Sequence, residues 1–386
     1  MSVYEIAILG AVSDSARAAL SLTIERMVRE FHLSIGSEVI LHDAATIASR
    51  DRHAAFAAVY FGSAAHADVD AAREVTRANV PIIPSVGHDG SFGSEIPDFL
   101  QPCNGYRRRQ DDPEFIELCT VLLECVGLLR RQRRVFVSYR RVESRAAAMQ
   151  LHDLMTAHGF DVFLDTHDIR PGEPFQDVLW HRLCDADVVV MLDTPTYFES
   201  KWTRQEIGRA MAKEIHVLRV VWPGHAPSRL TSMAETMYLE TAHLEAPDGP
   251  IVQAIAEEIV LATERLRSRS IASRYMSITG RLRADVERIG GEIAGVGAHR
   301  AISVRLFDDK KFWAYPVVGI PSAEALNDVA DKARRANQNE IPVLVYDHIG
   351  IRDAWAAHLK WLDDNITAVR ALKISEAAWT LAAWEG

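Results

Sequence analysis

Three pieces of chain decide how this sequence folds: Arg134-Val-Phe-Val-Ser-Tyr-Arg-Arg141, Phe163-Leu-Asp-Thr-His-Asp-Ile-Arg-Pro-Gly172 and Ser200-Lys-Trp-Thr-Arg-Gln-Glu206. Two of them carry a short apolar run into a polar stretch. The apolar run at 188–192 precedes the third and is uninterrupted, as a strand covered on both faces must be. Working outward, apolar runs alternate with helical periods. Strands are expected at 135–138, 161–164, 188–192 and 217–222. Helices are expected at 144–158, 176–184, 203–214 and 251–266, and Gly159 stands at a C-cap position. This alternation predicts an α/β fold with a doubly wound parallel sheet. Open sheets of this kind bind ligands at the carboxyl ends of their strands. The polar pieces lie there, on one loaded rim.

Bulk properties narrow the function. A chain of 386 residues calls for two or three domains. With 48% hydrophobic and 25% charged residues it has the composition of a globular protein. The net charge of −10 offers no footprint for nucleic acid. No run of about 18 apolar residues and no basic-then-apolar start occurs, so neither a membrane span nor a secretory signal is read, and the cytoplasm is the expected compartment. Cys103, Cys119, Cys125 and Cys184 form no Cys-x-x-Cys pair and have no zinc spacing, so reduced thiols and no metal are expected.

The flanks are less explicit. Residues 1–131 repeat the strand–helix alternation and form a receiver-like, three-layer α/β domain. A receiver needs clustered carboxylates at its strand ends. Here the first strand runs into Leu9-Gly-Ala-Val12 and the third into Phe61-Gly-Ser-Ala64, so no phosphoacceptor site is read. The turn at 10–15 precedes a helix and would suit a phosphate, but a tight turn is the simpler reading. The glycine-rich segment 87–93 reads as a surface loop, and Arg130-Arg-Gln-Arg-Arg134 as a solvated linker. Residues 267–386 read as a small C-terminal α+β domain of no recognised type. It has a connecting helix at 271–289, a hairpin at 301–318, and helices and strands to the end. Gly295-Val-Gly297 reads as a turn. Trp313, Trp355, Trp361, Trp379 and Trp384 are expected chiefly to fill its core.

In this order and spacing the three leading pieces resemble a Toll/interleukin-1 receptor (TIR) domain of the bacterial kind, over 132–266. The resemblance implies a flavodoxin-like parallel sheet and cleavage of the nicotinamide–ribose bond of NAD+. NAD+ is then the substrate, with no separate cofactor. Nicotinamide leaves as a neutral ring from a cationic one, so no general acid is needed, and the ribose becomes oxocarbenium-like. Glu206 occupies the position of the family's catalytic glutamate, one helical turn after Trp202. Ser138, Tyr139, Arg140, Arg141, Asp165 and Gly172 fall at substrate-binding positions. Ile169, Arg170, Pro171 and Phe175 fall on the loop that meets a neighbouring TIR subunit. The products would be nicotinamide and ADP-ribose or a cyclic isomer. The setting would be antiphage immunity, with self-association, even filaments, and a small-molecule or protein trigger sensed by the flanks. The alternatives are a non-catalytic adaptor and a nucleotide sensor acting through a flanking domain.

Overall fold

A computed structural model describes residues 3–128, 133–164, 175–306 and 310–383, with no account of the side chains at 175–177. The first sheet comprises β1 (Tyr4–Gly10), β2 (Val39–His42), β3 (Ala55–Phe61), β4 (Ile82–Val86) and β5 (Tyr106–Arg107), with α1 (Asp14–Arg29), α2 (Val69–Arg77), α3 (Phe92–Glu95) and α4 (Ile116–Cys125). It is wholly parallel in the order β2-β1-β3-β4-β5.

The second sheet follows: β6 (Arg134–Ser138), α5 (Arg141–Ala157), β7 (Asp161–Leu164), α6 (Phe175–Asp185), β8 (Val188–Asp193), α7 (Lys201–Ala212), β9 (His216–Val221), β10 (Glu235–Tyr238) and α8 (Gln253–Arg288). Its order, β10-β9-β8-β6-β7, is also wholly parallel. Counted from its own first strand, each sheet runs 2-1-3-4-5, the flavodoxin-like order.

The third sheet is mixed. It holds β11 (Glu292–Val296), β12 (Ile302–Arg305), β13 (Lys311–Val317), β14 (Val343–Tyr346) and β15 (Arg370–Lys373), in that order, with α9 (Ala323–Arg335), α10 (Asp353–Asn365) and α11 (Ala377–Ala383). β11, β12 and β13 are antiparallel neighbours, and β13, β14 and β15 are parallel. None of the described helices is long and apolar enough to cross a membrane.

The chain divides into two compact units: Met1–Leu129 with Tyr275–His348 and Asp353–Gly386, and Arg130–Arg274 with Ile349–Arg352. The segments read as separate flanks thus fall largely in one unit. Within it Glu124 of α4 accepts from His299 Nδ1 at 2.6 Å and pairs with Lys332 of α9, while Arg300 Nε donates to the Cys125 carbonyl at 2.7 Å. Burial pushes the Glu124 carboxyl up, but the His299 bond and the Lys332 charge outweigh it and hold the group at about 2.

Several expectations are corrected. The two helices at 251–266 and 271–289 are one, α8, of 36 residues. No proline or glycine lies between Pro250 and Gly280, and Ser268 and Ser270 at the join are buried, with Ser270 Oγ accepting the His216 amide at 3.3 Å. Gly295 sits in strand β11, not in a turn. It is glycine because a Cβ would lie 2.6 Å from Cys103 Sγ. Trp361 and Trp379 are each 58% exposed and Trp313 and Trp355 only half-buried, so aliphatic residues, with Phe312 and Tyr275, fill that core. Trp384 lies outside the described residues. The loop at 87–93 is organised by Arg107, whose Nη1 donates to the carbonyls of His88 at 2.8 Å and Gly90 at 2.5 Å.

The arginines read as a solvated linker are also otherwise placed where described. Arg133 and Arg134 are buried at the amino ends of β6 and β8. Arg133 pairs with Glu264 and Arg134 with Asp185. Arg267, fully buried, lies 3.1 Å from Glu264 and 3.8 Å from Asp187. Removing one member leaves an uncompensated buried charge. Glu264→Gln is therefore expected to lower the unfolding free energy by about 3–5 kcal/mol in urea titration. In the other unit, a carboxyl held below its unfolded value near 4.5 stabilises fully above that pH, and the contribution is lost as pH falls toward about 2. Urea midpoints of wild type and Glu124→Gln should accordingly differ at pH 7 and converge below pH 4.5.

Candidate active site

The buried strand β6 carries the chain to Ser138 at the carboxyl edge of the second sheet. Arg140 then stands at the N-cap of α5, which begins at Arg141. The neighbouring β8 ends at Asp193. A 3₁₀ turn at Tyr197–Glu199 leads into α7, whose N-cap Ser200 accepts the Trp202 amide at 3.3 Å. Thr203 Oγ1 ties helix to turn, donating to the carbonyl of Tyr197 at 2.6 Å. The chain reverses its direction of winding between β6 and β8, so this edge is the topological switch point, where a crevice opens outside the strand ends.

A cavity of about 440 Å³ opens there, lined by Tyr139, Arg140, Arg141, Val142, Ser200, Trp202, Thr203 and Glu206. Its size falls in the range of small-molecule sites, about 300–1,000 Å³. Trp202 and Glu206 are four residues apart and share one face of α7. Their surroundings differ. Trp202 is 42% exposed, whereas Glu206 is 6% exposed and joins Thr203, Ile207 and Ala210 on the buried stripe of the helix. A carboxylate at a core position is costly unless hydrogen-bonded. Ser138 Oγ donates to Glu206 Oε2 at 2.5 Å, and the Tyr197 hydroxyl lies 2.5 Å from the same Oγ. Burial, and then the charge of Glu206, push the Tyr197 hydroxyl well above its ordinary value, so it stays protonated.

Cationic groups border the cavity. Arg140 Nη2 lies 3.9 Å from the exposed Glu199 carboxylate, a weak pairing, and its Nε is buried without a hydrogen bond. Asp193 is fully buried and meets His225 Nε2 at 3.2 Å. Burial raises its carboxyl, with His225 opposing. Cys184 is no candidate nucleophile: burial pushes its thiol up, and Sγ faces the Gly350 carbonyl at 3.4 Å. Among the described residues no group of three or more His, Cys, Asp or Glu is placed to hold a metal.

The structure brings Tyr139, Arg140, Arg141, Trp202 and Glu206 to one cavity. Ser138 is 2% exposed, does not line the cavity, and reaches the site only through Glu206. Asp165, Ile169, Arg170, Pro171 and Gly172 lie outside the described residues, as does the side chain of Phe175. Tyr197 and Thr203 were missed by sequence reasoning. The signal available was the glutamate itself, standing in an apolar stripe where only a hydrogen-bonded acid is tolerated.

An α/β unit with a flavodoxin-like sheet and a carboxylate-bearing crevice at its switch point defines the class. Within that class, residues 135–246 match the TIR domain family, and the chain is a TIR-domain protein. A 93-residue stretch is 20% identical to a 2' cyclic ADP-D-ribose synthase, BtTIR, of Bacteroides thetaiotaomicron. It covers 24% of this chain and 32% of that protein, so the chain spans about a third of the relative's length. Among solved structures, the C-terminal domain of glucosamine-fructose-6-phosphate aminotransferase from Francisella tularensis aligns over 71% of this chain and 84% of that one. Identity is 11% and the TM-score 0.18, too slight to bear on the fold.

Exposure separates Trp202 from Tyr197. Trp202→Ala should change the unfolding free energy by about 0.5 kcal/mol or less. Tyr197→Ala, which deletes a fully buried ring, should cost about 3–5 kcal/mol. Urea denaturation of the two variants checks both.

Proposed function

We propose that the TIR unit cleaves the bond between nicotinamide and ribose in NAD+. The observation that carries this reading is the placement of Glu206: a hydrogen-bonded carboxylate on the wall of a cavity at the sheet's switch point, one helical turn from a half-exposed tryptophan. The family match and the name of the bacterial relative support an NAD+-cleaving function at the level of the family.

In the proposed reaction the glycosidic electron pair goes to the pyridinium nitrogen and neutralises it, so no proton is needed to release nicotinamide. Positive charge develops on the ribose, and the Glu206 carboxylate stabilises it. Water adds to the anomeric carbon and loses a proton, giving ADP-ribose. A hydroxyl of the same molecule adding in its place gives a cyclic isomer. The Trp202 ring packs against the cationic nicotinamide, a contact of about 0.5–2 kcal/mol. Arg140 and Arg141 take the diphosphate, and the unsatisfied Nε of Arg140 supports that role.

Assembly belongs to the same reading. TIR units associate head to tail through the segment 165–175, a heterologous contact that propagates unless it closes into a ring. The other unit receives a trigger, a small molecule or a protein, in bacterial immune signalling.

Concentrated wild type incubated with NAD+ should release nicotinamide, followed by chromatography. Release should fall at least about 100-fold in Glu206→Gln and Glu206→Ala, and the specific rate should drop on dilution. No release from wild type at any concentration, with crowding agents present, would sink the enzyme reading in favour of an adaptor.

A further inference from the structure

We propose that Ser138 and Tyr197 are positioning residues for Glu206. They form a two-hydroxyl relay, Tyr197 to Ser138 to the carboxylate, that sets the orientation and ionised state of the acid without either hydroxyl touching substrate. The directions of the two bonds follow from donor capacity. An ionised carboxylate only accepts, so the single Ser138 proton goes to Glu206 Oε2 at 2.5 Å. Ser138 Oγ then has only lone pairs for its second neighbour, and the Tyr197 hydroxyl at 2.5 Å must be the donor. Neither hydroxyl lies on the cavity wall.

The relay joins three elements that are distant in sequence: the end of β6, the 3₁₀ turn after β8, and α7. The turn that presents Tyr197 is itself held, by the bond from Thr203 to its carbonyl and by the edge of the Phe198 ring, 5.0 Å away between centroids. Among the described residues, Asp193 at the end of β8 acts on Tyr197, and Arg140, Arg141 and Tyr139 line the cavity with the acid. Asp193, like Glu206, disfavours ionisation of Tyr197, so Tyr197 remains a donor through neutral pH.

The inference rests on the reading of Glu206 as the reacting acid for its kinetic arm only. Its first test is spectroscopic. The Glu206 carboxylate band is assigned by infrared difference against Glu206→Gln, then followed on acidification in wild type, Ser138→Ala, Ser138→Thr and Tyr197→Phe. Loss of a donor to the charged form favours protonation. The band should therefore be lost at higher pH in Ser138→Ala, at intermediate pH in Tyr197→Phe, and near the wild-type pH in Ser138→Thr, which keeps the hydroxyl. Unchanged titration in both Ser138→Ala and Tyr197→Phe overturns the proposal. Should Ser138→Ala fail to fold, Tyr197→Phe decides, because it removes a single oxygen.

The second test is kinetic. In Ser138→Ala, kcat for nicotinamide release should fall about tenfold or more with KM within about twofold. A rise in KM with kcat unchanged would make Ser138 a substrate contact and overturn the relay. If wild type releases no nicotinamide, the NAD+ reading fails, and the infrared result still decides the relay.

Discussion

A carboxylate on the core-facing side of a helix is the constraint around which the TIR unit is arranged. Glu206 sits at 6% exposure between Thr203 and Ile207, where amphipathic periodicity asks for an apolar side chain. Such a group is tolerated only with donors supplied from elsewhere. Ser138 meets that demand from the end of β6, and Tyr197, from the turn after β8, bonds Ser138 in turn. The strand order that places β6 beside β8 is thus also what allows the acid to be there.

Both parallel sheets have the same order, yet their switch points differ. In the first sheet the corresponding edge lies between β1 and β3. Gly10 adopts φ +84° there, and a Cβ on it would fall 2.3 Å from the Phe61 carbonyl oxygen. The Gly10 amide donates to the Asp68 carboxylate at 2.9 Å. That edge is closely packed, and a carboxylate occupies the amide a phosphate would need. In the second sheet the equivalent position carries Ser138 and the arginines that follow it, beside an open cavity. A shared fold supplies the place for a site, and side chains decide whether one exists.

Buried charge serves the two units in different ways. At the amino ends of β6 and β8, arginines and acids neutralise one another around Arg267 and pin the start of the sheet to α8. In the other unit Glu124 holds His299 and Lys332, residues on segments far apart in the chain. The first network lies at the amino end of its sheet, opposite the cavity, and is costly to break because its members are buried. At the carboxyl edge of the second sheet, by contrast, Arg140 is only weakly paired.

By itself the sequence determined the parallel α/β character of the first two sheets, the place of the loaded rim, and the pairing of Trp202 with Glu206. Apolar runs, turn residues and helical spacing are local signals, and local physics suffices to read them. The third sheet was partly legible: its hairpin was, but β11 was hidden because Gly295, there for close approach to Cys103, looks in sequence like a turn. The unbroken course of α8 was hidden too, since Ser268 and Ser270 are polar in sequence but buried in the fold. Only tertiary structure decided that Ser138 serves Glu206, that Tyr197 belongs to the site, and that Arg133 and Arg134 are interior. Each of these depends on which distant side chain supplies a hydrogen bond or a counter-charge. That is a property of strand order and packing, on which no local period in the chain bears.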